Sequence, residues 1–445
     1  MKHIFKRNNK LVISCMALLT MILYYFVAVY IKTPDLVPGF LLTVTPPVVG
    51  CVALLILSNK SDDSIPTAAT MLVAFLLITG NALQTVLEVN TTTKIFLLNL
   101  IALFFSTGAL LLYALVIKKK VLINKQGYRK AIFIVFGAIM FLFLIMLVFG
   151  SNIGGAKLWL RIGSMTIELS EIIKYLFICL LALVYSSNME VKQKILYSMI
   201  AFGFSFIFFL ILNEFGTIII MFLVYLLSFI IHIRSRFSIL FVAGFIVLMV
   251  VALVIVYGTH DHIKGSEGFV AEKLNKIYDR LTLSNSDQSI RSIQGMMNGG
   301  YFGASMDYLI YVYSCESDFA LSSLAQYFGV VTMIMCVVAI GSLLFLVYVR
   351  GHDDDYNNRS HYKISFIFMI AIAVQGLLSL AGNIGLPIAG VGCPFISSGG
   401  SQSLILYTEV AFVIYGMQTN TSKTMKTLSV HYKNHRRDFY DECEL

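Results

Sequence analysis

Charge is scarce in this sequence: 13% of its 445 residues are Asp, Glu, Lys or Arg, about half the quarter that soluble globular chains carry. With 58% hydrophobic residues and a mean hydropathy of +0.83, a water-soluble fold is nearly excluded. Paired cysteine spacing is lacking too. Cys15, Cys51, Cys179, Cys315, Cys336, Cys393 and Cys443 are scattered without a CxxC, so they read as small core hydrophobes. Only Cys315 and Cys393 fall in outer segments where a disulfide could persist, and spacing does not decide whether they meet. There is no GxSxG, HExxH, Walker A or strand-linked GxGxxG, and His260-Asp261-His262 lacks further ligands at metal spacing.

What the sequence does have is long apolar runs. A helix needs about 20 apolar residues to cross a bilayer, because its backbone groups must pair internally. Stretches of that kind predict spans near 11–31, 39–58, 66–87, 95–117, 131–150, 169–187, 195–212, 215–233, 237–257, 319–349, 364–387 and 400–418. The expected class is an all-α polytopic membrane protein of about twelve transmembrane helices. The first run lacks a small-residue cleavage site and is read as a helix rather than a signal peptide. Most of the 33 Lys and Arg, among them Lys118, Lys119 and Lys120, then fall in segments on the side of the two ends. Basic loops stay inside, so both termini are expected in the cytoplasm. The net charge of +9 is explained by loops facing an anionic leaflet, without nucleic acid.

Three outer segments follow from this topology. The longest non-spanning stretch is 258–318, a large extracellular loop containing an amphipathic piece, Val270 to Leu281, that suits a helix lying at the membrane surface. Ser151 to Thr166 carries the single tryptophan, Trp159, between Lys157 and Arg161, with Gly154, Gly155 and Gly163 around it. Either Trp159 is an interfacial anchor, or ring and cations line a site for an anionic, lipid-linked group. Ala381 to Gln402 is too rich in Gly, Pro and Ser to continue as a helix and must line a cavity or lie within protein.

Ionisable residues at membrane depth are costly and mark candidate sites. Glu168, Glu171 and Lys174 share one helix face by their i, i+3 spacing, which suits either a structural ion pair or a site. Glu214 precedes Phe215-Gly216-Thr217 at a helix start and reads as a cap. Asp318 begins a long uncharged run; it suits an N-cap, or a general base at the rim of a dry cavity.

Five segments in order resemble the SEDS (RodA/FtsW/SpoVE-like) family of peptidoglycan polymerases. Gly155–Gly163 with Leu169–Lys174 resembles GAxRWIxLG…PSELxK, and Glu214–Thr217 resembles PDLGT. Ser292 with Asn298–Gly303 resembles QSxxAIGSGGLFG, and Ser317-Asp318-Phe319 with Gly329 resembles HTDFxFAxxxEExG. Pro387–Gly390 and Pro394–Ser401 resemble PVTGxPLPFxSYGGS. Departures at Leu158, Leu169, Asn213, Tyr313-Ser314, Gln326 and Ser398 mark a divergent member.

The resemblance covers the transmembrane core 130–418; the family usually has ten spans, so two of the N-terminal helices within 1–129 are additional, and 419–445 is a cytoplasmic tail. It implies a glycosyltransferase of a bacterial cytoplasmic membrane that polymerises lipid II outside the cell during elongation, division or sporulation, beside a class B penicillin-binding protein. Asp318 would be catalytic, and Lys157, Trp159, Arg161, Glu171, Lys174, Ser397, Gly399 and Gly400 would bind substrate. Glu168, Glu214, Gly216, Thr217, Gly299, Gly300, Gly303 and Pro394 would orient the site. No cofactor is required, and a divalent cation is compatible with the chemistry. A lipid II flippase or transporter, and a catalytically weak scaffold, stay open beside the polymerase.

Overall fold

The computed structural model describes residues 2–59, 64–118, 125–153, 156–162, 165–233, 287–351, 360–386 and 390–417, with isolated positions between 243 and 278. The helices are α1 (Lys2–Lys32), α2 (Val37–Ser58), α3 (Ile65–Leu87), α4 (Thr92–Lys118), α5 (Lys125–Phe149), α6 (Leu169–Ser186), α7 (Val191–Ile211) and α8 (Phe215–His232). They continue as α9 (Asp287–Gly299), α10 (Ala320–Phe328), α11 (Val330–Arg350), α12 (Ser360–Asn383) and α13 (Gly400–Met417). Among the described residues ten are long and apolar enough to cross a bilayer. The chain is an integral membrane protein.

Twelve spans is not the number found among the described residues. The expected span 237–257 lies almost wholly outside them, as do the amphipathic piece 270–281, His260 to His262 and the tail 419–445. The expected span 400–418 is the helix α13, but Gln402, Thr408 and Glu409 make it too polar to rank with the ten. It is instead sheltered by protein, packing on α4 and α12.

Helices α3 and α12 occupy the centre, buried over most of their length, while α1, α4 and α5 are largely open to lipid. The cause is composition. α3 is rich in Ala, Thr, Gly, Asn and Gln, and small residues let backbones approach while short polar groups bond across helices. Asn99 of α4 donates to Asn81 Oδ1 (2.7 Å) and to the Thr43 carbonyl (3.2 Å), and the hydroxyls of Thr43 and Thr85 lie 3.2 Å apart. α1 joins this core through Tyr25, whose hydroxyl shares a 2.6 Å hydrogen bond with Thr79 and whose ring meets Phe328 edge-on. At its end, Lys32 donates to the Ala304 carbonyl at 2.8 Å, tying the N-terminal helices to the loop after α9.

Two departures from the expected helices shape the site. Residues 151–168 form a three-stranded antiparallel sheet, β1 (Ser151–Ile153), β2 (Ala156–Ile162) and β3 (Met165–Glu168), in a chain otherwise built of helices. Its β-branched and aromatic content supports strands. The expected span 319–349 is broken at Gly329 into the nine-residue α10 and the spanning α11. Gly329 has φ +91°, and a Cβ there would run into the Tyr301 carbonyl oxygen. The turn 299–303 therefore docks where only glycine fits, and the Val330 amide donates to the Gly300 carbonyl at 2.9 Å. Of the expected outer loop, residues 287–318 are described, as α9 and the segment 300–318.

Candidate functional site

The turn 313–319 carries Asp318. Ser314 takes a left-handed φ of 54°, and its carbonyl accepts from the Ser317 and Phe319 amides, both at 3.1 Å. This wraps the backbone tightly and leaves Asp318 half-buried. Its backbone is held by Asn383 at the end of α12, which donates to the Asp318 carbonyl (2.9 Å) and the Ser379 carbonyl (2.8 Å) and accepts from the Ser322 amide (2.8 Å). Ser292 and Ser322 complete the lock, Ser292 Oγ donating to the Asn383 carbonyl (2.8 Å) and Ser322 Oγ to the Ser292 carbonyl (2.6 Å). The N-cap reading of Asp318 is corrected: the cap position of α10 is Phe319, and no side chain caps it.

The segment 390–400 closes over this turn; Pro387, Ile388 and Ala389 lie outside the described residues. Ser397 Oγ donates to the Ser317 carbonyl (2.6 Å) and accepts from the Cys393 amide (2.7 Å), and the Ser398 amide donates to the Glu316 carbonyl (2.7 Å). Ser397 is thus buried and fully engaged, a clamp on the Asp318 turn rather than a group open to substrate. Gln84 of α3 fastens both strands of the clamp, donating to the carbonyls of Glu316 (3.1 Å) and Ile396 (2.8 Å). Gly80, one turn earlier, admits the Phe395 carbonyl where a Cβ would collide with it. Gly399 and Gly400 lead into α13, with Gly400 exposed. Cys315 and Cys393 are separate thiols. Burial pushes Cys315 up to about 11, helped by Glu316, and burial pushes Cys393 up to about 12.

Gly390 links this clamp to α8. A Cβ on Gly390 would stand 3.9 Å from Asp318 Oδ2, and one on Gly216 would stand 3.4 Å from both the Gly390 carbonyl and Glu214 Oε1. Glu214 caps α8, its Oε1 accepting from the Thr217 amide (3.1 Å) and hydroxyl (3.0 Å). Asp318, Gly390, Gly216 and Glu214 therefore follow one another along one rim.

The sheet forms the next part of that rim. Trp159 pairs in register with Glu168, and period two puts Lys157, Trp159 and Arg161 on one face of β2. Lys157 and Arg161 are exposed, and Trp159 is half-buried against the core. Gly154, Gly155 and Gly163 lie outside the described residues. Glu168 is not on the helix face with Glu171 and Lys174: it ends β3 in extended backbone, and the helix starts at Leu169. Its amide donates to Ser401 Oγ (3.1 Å), and its Oε1 accepts from Ser170 Oγ (2.9 Å). Burial pushes its carboxyl up to about 7, with Glu171 and then Glu214 adding to the rise while Ser170 and Lys174 oppose it.

The sign of that shift is a prediction. The folded state holds the Glu168 proton more tightly than the usual carboxylate value of 4.5, so this group destabilises the fold as pH rises from about 4.5 through about 7. In Glu168→Gln, the thermal-melting profile loses this decline between pH 4.5 and about 7; an unchanged profile places the titration elsewhere.

Lys174 lies in a separate pocket beneath Pro394, lined also by Glu171, Gln375, Gln402, Ile405 and Glu409. Its ammonium is 2.7 Å from Glu171 Oε2 and donates to Gln375 Oε1 at 3.0 Å, while Gln375 donates onward to the Gly392 carbonyl at 3.1 Å. Gly299 and Gly303 serve packing, since a Cβ on either would collide with the carbonyls of Ala325 and Tyr327, whereas Gly300 stands in open space. Sequence reasoning missed Gln84, Gln375, Asn383, Gln402 and Glu409. Glu409 offered a signal, as a carboxylate at membrane depth, whereas the four carboxamides carry no charge to mark them. Among the described residues no group of three or more His, Cys, Asp or Glu side chains could hold a metal ion.

Comparison with known proteins gives one consistent picture. A family model described as "Cell cycle protein" and named for FtsW, RodA and SpoVE matches residues 64–423, from the start of α3 onward. A probable peptidoglycan glycosyltransferase FtsW of Wigglesworthia glossinidia brevipalpis is 27% identical over 62% of this chain and 73% of its own. The protein of the same name in Bacillus subtilis is 26% identical over 78% of this chain and 87% of its own. A solved chain from a peptidoglycan synthase complex that coordinates polymerization and crosslinking shares the fold, with a TM-score of 0.56, 17% identity, and coverage of 79% of this chain and 97% of that one.

Proposed function

The chain belongs to the FtsW/RodA/SpoVE family, and from that premise we propose that it is a glycosyltransferase polymerising lipid II into glycan strands at the outer face of a bacterial cytoplasmic membrane. The observation that carries this reading is the rim: a half-buried Asp318 whose backbone is clamped from α12, α3 and the segment 390–400, facing Gly390 and the Glu214 end of α8. A clamped backbone is what a general base needs, because proton transfer depends on placement within hydrogen-bond reach of the attacking hydroxyl.

In the reaction, the acceptor sugar's 4-hydroxyl oxygen forms a bond to the donor's anomeric carbon. The bond from that carbon to the lipid diphosphate breaks, the electron pair leaves with the diphosphate, and the hydroxyl proton passes to the Asp318 carboxylate. Charge develops on the leaving diphosphate. The exposed Lys157 and Arg161 on the face of β2 are the cations a diphosphate can reach. Lys174, 2% exposed and engaged with Glu171 and Gln375, supports the site from below. No step is routed through a metal. Both termini lie in the cytoplasm in this reading, and a class B penicillin-binding protein is the partner that supplies crosslinking.

The test uses the purified full chain with fluorescent lipid II and separation of products by gel. Wild type yields glycan ladders, and Asp318→Ala lowers the rate by about 10²–10⁴-fold while eluting as the same monodisperse species. Equal ladders from both proteins would overturn the assignment. Lipid translocation in vesicles that survives Asp318→Ala, with no ladder from either protein, would favour the transporter.

A further inference from the structure

We propose that the segment Tyr308–Tyr313, just ahead of Asp318, is a stacking platform for sugar rings of the growing glycan strand; the inference rests on the glycosyltransferase reading and adds a subsite to it. Tyr308, Tyr311 and Tyr313 are 74%, 69% and 59% exposed, whereas Val312 between the last two is 4% exposed. Leu309 is extended (φ −72°, ψ 134°), and the alternation of Val312 inward with its two tyrosine neighbours outward is that of a strand. Such spacing sets Tyr311 and Tyr313 on one side, about 6.6 Å apart along the chain.

The platform is held rigidly from behind. Asn298 donates to the Tyr308 carbonyl (2.6 Å), Gln326 donates to the Ile310 carbonyl (3.1 Å), and a Cβ on Gly295 of α9 would touch Val312 at 3.4 Å. Gln326 lies on α10, six residues and about 9 Å of helix rise beyond its first residue, Ala320, and Asp318 stands two positions before that residue. The tyrosines are therefore within a few sugar rings of the general base.

Chemistry selects the occupant. A pyranose ring presents a face of weakly positive C–H groups that fits the negative face of an aromatic ring, while its hydroxyls and a tyrosine hydroxyl exchange hydrogen bonds. The competing explanation is anchoring of the same rings among lipid headgroups; residues 298–318 carry no Lys or Arg of their own, and the cation that reaches the segment, Lys32, is engaged with the Ala304 carbonyl. A neutral aromatic strip beside the base suits a polymer of sugar rings that must be kept while the next unit is added.

The experiment uses the full chain in detergent, where a bilayer anchor has no role. With the β-1,4-linked tetramer of N-acetylglucosamine as probe, Tyr311→Ala/Tyr313→Ala weakens binding by about fivefold or more per ring lost, and Tyr311→Phe/Tyr313→Phe retains most of it. With lipid II, the Ala pair gives shorter glycans while the rate of first-bond formation is retained. Binding and chain lengths equal to wild type in the Ala pair would overturn the proposal, as would a defect seen only in lipid vesicles. If the pair fails to fold, Tyr311→Gln alone carries the same two readouts. A wild type that binds the tetramer but makes no glycan would sink the glycosyltransferase reading while leaving the sugar platform standing.

Discussion

Lys174→Ala is expected to destabilise the protein by about 3–5 kcal/mol, because it leaves the buried Glu171 without its cation. Loss of monodisperse protein on size-exclusion chromatography is the readout. The charge-neutral double substitution Glu171→Gln/Lys174→Met removes both ions together, and replacing a buried pair by neutral groups of similar volume is often close to neutral. That variant recovers the folded species. Its rate with lipid II then separates two roles. Retained polymerisation makes the pair a structural fastener, and a folded but inactive variant makes it part of the chemistry. A stable Lys174→Ala would contradict the need for a cation at this depth.

Gly329→Ala carries the second large effect. Its φ of +91° and ψ of 154° belong to a region open essentially to glycine, which alone costs of order 1–3 kcal/mol for a side chain. The added Cβ would also meet the Tyr301 carbonyl and push the 299–303 turn off the α10–α11 junction. The turn then opens to limited proteolysis, and the Asp318 end of α10 loses its registration. Gly300→Ala is the control: its φ is +54° with nothing within 4 Å, so it bears only the left-handed backbone cost of about 1–2 kcal/mol. Equal protease resistance in Gly329→Ala and wild type would show that the junction tolerates a side chain.

Much of the architecture was legible because the bilayer imposes a coarse rule. Ten spans read from apolar run length correspond to helices of the structure, since length and hydropathy are local properties. The rule failed where tertiary contacts outweighed it. The run 319–349 is uncharged throughout, yet Gly329 breaks it because the Tyr301 carbonyl occupies the place of a Cβ. Residues 151–168 pair as strands through two short hairpins, with Trp159 opposite Ser151 on one side and Glu168 on the other, which no span criterion detects. Glu168 looked helical by spacing, but it ends β3 in extended backbone just ahead of the first turn of α6.

The candidate site was legible in its charges and opaque in its carboxamides. Asp318, Glu214 and Lys174 stand out because ions at membrane depth are rare. Asn383, Gln84 and Gln375, which hold their backbone and side-chain partners in place, carry no charge and look like any polar residue in a helix. Ser397 resembled a substrate ligand and is a clamp, since its hydroxyl is consumed by Ser317 and Cys393.

By itself the sequence determined that the chain lives in a membrane, which runs of it are apolar, and which ions must be sheltered, because each follows from transfer free energy summed along short stretches. Only the tertiary structure decided that Asp318, Gly390 and Glu214 share a rim, that Lys174 sits apart in a pocket with Glu409, and that the long apolar run bends at Gly329. Those outcomes depend on contacts between residues up to hundreds of positions apart, such as Gln84 with Ile396, and local patterning does not encode which distant carbonyl a buried amide will find.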